Sequence, residues 1–145
     1  MPDELPGNLS GRFHVRMLRD ALRDAQHWIP RTGDLAVLRR HSLKLRFWPG
    51  NLPDDTTGLT ADLDWSWIRA LKGQGHEIGE LRIHETIGGC DNLRVIFYRR
   101  STREGELPTI WIIAVFQKKR DDFTSHQFKI FKGRKALVDE RADTI

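Results

Sequence analysis

Between residues 82 and 120 the chain carries cations at intervals that a sheet could bring together: Arg82 and His84, then Arg94, then Lys118, Lys119 and Arg120. Side chains alternate between the two faces of an extended strand. Arg82 and His84 therefore share one side of "IGELRIHE", with Leu81 and Ile83 on the other. Arg94 and Ile96 share a side of "LRVIFYRR", and three cations end "TIWIIAVFQKKR". If these strands pair in chain order, Arg82, His84, Arg94 and Lys118 or Lys119 converge on one patch. Such a patch suits a phosphodiester: guanidinium groups fork onto phosphate oxygens and ammonium adds a compact charge. Imidazole, with a pKa near about 6.5, can move a proton in either direction. Arg99 joins Lys118 and Arg120 as candidates for holding RNA. Taken singly, each of these residues reads as a solvated strand position, and only convergence makes a site of them.

The elements that must position them are legible as periods. From Gly11 to Trp28 the apolar residues Met17, Leu18, Ala21, Leu22, Ala25 and Trp28 recur at helical spacing, which predicts an amphipathic helix. Its outer face carries Arg12, Arg16, Arg19 and Arg23 beside Asp20 and Asp24, a pattern that also describes a solvated helix face. "IPRTG" ends it. "HSLKLRFW" alternates and reads as a half-buried strand. Thr60 reads as the cap of a second helix, with Asp62 and Asp64 in its first turn and Leu63, Trp67, Ala70 and Leu71 as its apolar stripe. Three strands then follow with turns between them, an antiparallel meander. A closing helix begins at Thr124 or Ser125 and runs through Phe128, Phe131 and Leu137. The expected class is α+β: N-terminal helices packed on a small twisted antiparallel sheet, with a C-terminal helix. Tyr98 and Trp111 lie within strand patterns, where packing is their first use and base stacking a second.

Size and composition limit the possible functions. The 145 residues suit a single domain, with residues 1–40 as a helical N-terminal extension. Charge is modest at +4: 11 Lys and Arg against 9 acids up to residue 73, and 13 against 11 beyond it. Any polyanion site must therefore be local, since a sequence-neutral nucleic-acid binder carries a larger excess. No apolar run approaches the roughly 20 residues that span a bilayer, so no membrane association is expected. The lone Cys90 forms no disulfide framework, which points to a cytoplasmic setting. The six histidines are scattered and no HExxH or Cys/His pairing occurs, so neither a metal nor another cofactor is expected.

Segments in the second half carry a resemblance. Leu71-Lys72-Gly73, Glu80-Leu81-Arg82, the Gly88-Gly89 turn, Arg94-Val95-Ile96-Phe97-Tyr98 and Phe116-Gln117-Lys118-Lys119 follow one another in that order. In order and spacing they resemble the RelE/HigB toxins of type II toxin–antitoxin pairs, in their phage-derived branch, over roughly residues 70 to 130 with a family-like core of about 42–140. The resemblance implies a microbial RNase fold. It also implies a ribosome-dependent endoribonuclease that cuts mRNA by attack of the ribose 2′-OH on the adjacent phosphate, without metal, and so inhibits translation. Its partners would be the ribosome, mRNA and a cognate antitoxin of helix-turn-helix type. By the same resemblance Arg94 would stabilise the phosphate, Arg82 and His84 would be the basic residues of the preceding strand, and Lys118 and Lys119 those ending the last one. His126 would supply an acid–base group at the start of the last helix. A non-catalytic module of the RelE/ParE fold, or a toxin with another target such as gyrase, is the alternative.

Overall fold

A computed structural model describes residues 13–48, 52–54, 59–61, 63–69, 71, 77–100, 108–119 and 122–144. In chain order these form β1 (His14–Met17), α1 (Arg19–Trp28), α2 (Thr32–Leu43), a 3₁₀ turn (Lys44–Phe47), β2 (Leu52–Asp54), β3 (Leu59–Ala61), β4 (Trp65–Trp67), β5 (Ile78–Ile83), β6 (Leu93–Arg99), β7 (Thr109–Gln117) and α3 (Ser125–Thr144). The class is α+β. A five-stranded sheet has the order β1-β7-β6-β5-β4, and β2 and β3 form a separate antiparallel pair.

β5, β6 and β7 make the expected antiparallel meander, with Arg82 opposite Arg94 and Arg94 opposite Phe116. The turn from β5 to β6 tightens at Gly88 and Gly89, whose φ values of 56° and 79° are natural for glycine. β7 is buried from Ile112 to Val115 because both faces are covered. Phe116 meets Phe131 of α3 on one side, and Lys119 lies over Trp28 of α1 on the other. α3 begins as its residues suggest. Thr124 Oγ1 accepts from the Gln127 N–H, and Gln127 Oε1 accepts from the Thr124 N–H, a reciprocal capping box.

The first half differs from expectation in three places. The helix expected from Gly11 begins only at Arg19, because residues 14–17 pair in parallel with Thr109–Ile112 of β7 as β1. The sheet is consequently mixed rather than antiparallel throughout, and the segment read as an extension contributes β1 and the buried Ala21 and Ala25 of α1. "HSLKLRFW" is not a strand. Leu38, Ser42 and Leu45 instead continue one buried helical stripe, hidden in the sequence by a polar Ser42 whose Oγ donates to the Leu38 carbonyl. The helix expected after Thr60 is replaced by β3 and the edge strand β4. There Trp65 and Trp67 point to one face and pack with Trp48 and Phe97, a use of tryptophan at two-residue spacing that favours a strand.

β7 outruns its short neighbour, and side chains close the edge that remains. Asp24 of α1 accepts from the Val115 N–H, and Arg134 of α3 donates to the Ile113 carbonyl and to Asp24. The pair occupies backbone groups that a longer β1 would have bonded.

A Cβ at Gly79 would lie 2.6 Å from Phe97 Cζ, on a ring that is fully buried in the tryptophan cluster. Gly79→Ala is expected to cost about 1–3 kcal/mol in urea unfolding, because the ring has no room to retreat. Tyr98 Oη donates to Asp139 Oδ1 of α3 at 2.7 Å. Burial, then that hydrogen bond, then the Asp139 charge raise the phenol well above its ordinary value. As pH rises past about 10 the unfolded chain loses this proton while the folded chain keeps it, so stability falls. Urea midpoints measured between about pH 9 and 11 should drop more steeply for the wild type than for Tyr98→Phe.

Candidate functional site

The alternation that places the cations also places their partners. On β4, β5 and β6 the even-numbered residues share one sheet face, the one from which Tyr98 and Phe116 reach α3, and these include Ser66, Glu80, Arg82 and Arg94. Lys118, two residues beyond Phe116, joins them, with its ammonium 4.8 Å from the Phe123 ring. Glu80 is the hub. Its Oε1 lies 3.1 Å from Arg82 Nη2, and its Oε2 lies 3.7 Å from Lys118 Nζ and 3.9 Å from Arg94 Nε. The Glu80 side chain is only 7 % exposed. Neither its Oε2 nor Arg94 Nε has a hydrogen-bond partner among the described residues. They face each other as charges without bonding.

A second carboxylate carries the network outward. Asp64 precedes β4 on the same face and accepts from Arg82 Nη1 at 3.1 Å through Oδ1. Its Oδ2 lies 2.6 Å from His84 Nε2. Arg82 also donates to Ser66 Oγ at 2.8 Å, so three residues hold its guanidinium in place. His84 is 76 % exposed, at the open end of the chain Glu80–Arg82–Asp64–His84. When its Nε2–H is donated to Asp64, Nδ1 is left as a free base facing solvent. One residue further, Glu85 pairs with His41 of α2 at 2.6 Å.

Of the eight residues singled out in the sequence, Arg82, His84, Arg94 and Lys118 are brought together. Lys119 is not. A strand's period of two sends it to the opposite face, over Trp28. Arg99 also leaves the group, its guanidinium 5.2 Å from the Trp48 ring and 5.9 Å from that of Phe13, in the tryptophan cluster. His126 is exposed on the first turn of α3 and forms no hydrogen bond or ion pair with the cluster. Arg120 lies outside the described residues. Glu80 and Asp64 are the residues that reading for cations missed. Glu80 had a visible signal, since it shares the parity of Arg82 and of the buried face. Asp64 had none, because its segment reads as a helix.

The cluster combines a buried carboxylate, three cations and an exposed imidazole braced by a carboxylate. That set can bind an anionic oxygen group and exchange a proton beside it. Among the described residues no group of three His, Cys, Asp or Glu is placed to hold a metal ion, and no helix is long and apolar enough to cross a membrane. Comparison with family models, curated proteins and solved structures gives no match to the chain.

Proposed function

We propose that the chain is the toxin of a type II toxin–antitoxin pair, an endoribonuclease of the RelE/HigB kind that cuts mRNA on the ribosome without a metal. One observation carries the reading: Arg82, Arg94 and Lys118 meet around Glu80 on one sheet face, with His84 at its open end. The order of the RelE/HigB-like segments along β5, β6 and β7 agrees with it.

In this reading the 2′-oxygen forms a bond to phosphorus, the bond from phosphorus to the 5′-oxygen breaks, and a 2′,3′-cyclic phosphate and a 5′-OH result. Arg94, Arg82 and Lys118 offset the charge that grows on the phosphoryl oxygens. His84 moves the proton, and Asp64 holds its ring in place. Glu80 fixes the three cations relative to one another. Lys119, Arg99 and His126 have no part in this step. The partners would be the ribosome, mRNA and a cognate antitoxin.

Primer extension on messages translated in vitro tests the proposal. Cuts within the A-site codon, ending in cyclic phosphate and appearing only with ribosomes, are the expected result. Messages that stay whole while translation continues would reject it. A second reading has its own observation: Arg94 and Lys118 are each only 16 % exposed and already face Glu80, so the network is complete as an internal device. A non-catalytic module of the same fold, or a toxin against gyrase, would then arrest growth with mRNA intact. A supercoiling assay distinguishes those two.

A further inference from the structure

We propose that His41 of α2 is a positioning residue for His84, acting through Glu85. The inference rests on the ribonuclease reading and adds to it the element that holds the proton-transferring imidazole on target.

His84 stands where the sheet stops holding the chain. The ladder between β5 and β6 ends at Ile83, opposite Leu93. Backbone pairing resumes at the tight turn, where Ile87 and Cys90 exchange two hydrogen bonds of 2.9 Å. Residues 84–86 cross that interval outside any strand. The His84 side chain is 76 % exposed, and Asp64, itself 44 % exposed, is its single partner among the described residues. A contact so open to water holds an imidazole weakly unless the backbone beneath it is fixed.

Glu85 supplies that fixation. It lies in the middle of the unpaired stretch, and its Oε2 is 2.6 Å from His41 Nε2, 44 positions away in the chain. The His41 ring is only 25 % exposed. Asp34 brings α2 to the same connection a second time, at Gly88, where an added Cβ would stand 2.7 Å from its Oδ2. Asp34 and His41 are seven residues apart, about two helical turns, so they project from one face of α2. Leu38 lies between them and is buried, which turns that face inward. The helix therefore braces the connection from β5 to β6, with one contact at its turn and the other beside His84. His41 can donate its Nε2–H to Glu85 whether the ring is neutral or charged. Proton transfer tolerates little slack, because the exchanging atoms must come within hydrogen-bond reach. Glu80 gathers Arg82, Arg94 and Lys118 separately, so loosening Glu85 leaves the phosphate-binding cations in place.

Single-turnover cleavage of ribosome-bound message, with the ribosome concentration varied, separates rate from affinity. His41→Ala and Glu85→Ala should each slow the step about five- to tenfold with the half-saturating concentration unchanged. The double variant should be no slower than either single one, since both break the same contact. His41→Gln, which keeps a donor near the place of Nε2–H, should restore the rate to within about twofold. In backbone ¹⁵N relaxation, the order parameters of His84, Glu85 and Thr86 should fall from about 0.85 to below about 0.6 in the alanine variants. Full-rate cleavage by both alanine variants overturns the inference while the ribonuclease reading stands, and so do unchanged order parameters or a His41→Gln variant as slow as His41→Ala. A smaller cleaved fraction and a lower urea midpoint at an unchanged rate constant would make the contact merely structural, and equally overturn it. A wild type that leaves every message whole overturns both readings together.

Discussion

Replacing Arg94 with alanine is expected to lower ribosome-dependent mRNA cleavage about 10²–10³-fold, the loss typical when one donor to a developing oxyanion is removed. Arg94 is central to the meander, opposite both Arg82 and Phe116, so its guanidinium is aimed from the middle of the sheet rather than from a loop. Its Nη1 donates only to the neighbouring Leu93 carbonyl, at 3.3 Å, and its Nε faces Glu80 without a hydrogen bond. The folded chain leaves much of its donor capacity unused, which is what a phosphate-receiving arginine requires. Stability should change little by comparison, by about 1–2 kcal/mol, because Glu80 keeps Arg82 and Lys118 as counter-charges. Arg94→Lys should restore part of the cleavage, since it returns the charge but not the planar fork. Primer extension and urea unfolding on the same preparations separate the two effects. Cleavage that survives Arg94→Ala intact would remove the phosphate from this face.

The site was readable where a single rule, alternation by two, governs both position and partner. Applied from Arg94 through Phe116, it selects Lys118 and rejects Lys119, and it places Glu80 with Arg82. The first half resisted for physical reasons. Residues 14–17 are a strand only because β7 offers them an edge, a long-range fact absent from "HVRM". Met17 and Leu18 fit the helical period that follows, so the pattern overran its boundary. Trp65 and Trp67 have the same spacing as a strand pair, yet the acids before them imitate a helix start. What they answer to is a tertiary partner, the ring of Phe97 lying over Gly79. Ser42 interrupted the α2 stripe in letters while satisfying itself inside the helix. In each case tertiary pairing decided a segment whose local signal pointed elsewhere.

Glu80→Ala should be the most destabilising single change in the cluster, costing about 3–5 kcal/mol, because it leaves buried cations without their counter-charge. The Glu80 carboxylate is the shared neighbour of Arg82, Arg94 and Lys118, and two of those side chains are as little as 16 % exposed. Removing it turns three attractions into repulsions that water reaches poorly. Glu80→Gln keeps the volume and an oxygen for Arg82 but drops the charge, so it should cost less than the alanine change. Lys118→Met supplies the decisive comparison. Alone it removes one cation from a satisfied hub; on Glu80→Ala it removes one member of a repelling set and should return part of the lost stability. The two single variants and the double variant form a cycle whose coupling is expected at about 1–3 kcal/mol. A coupling near zero would mean that Lys118 is screened from Glu80, and that the cations assemble without a carboxylate to gather them. If the coupling is as expected while Glu80→Gln also loses cleavage, the carboxylate that holds the fold together is the same one that aims the cations at phosphate.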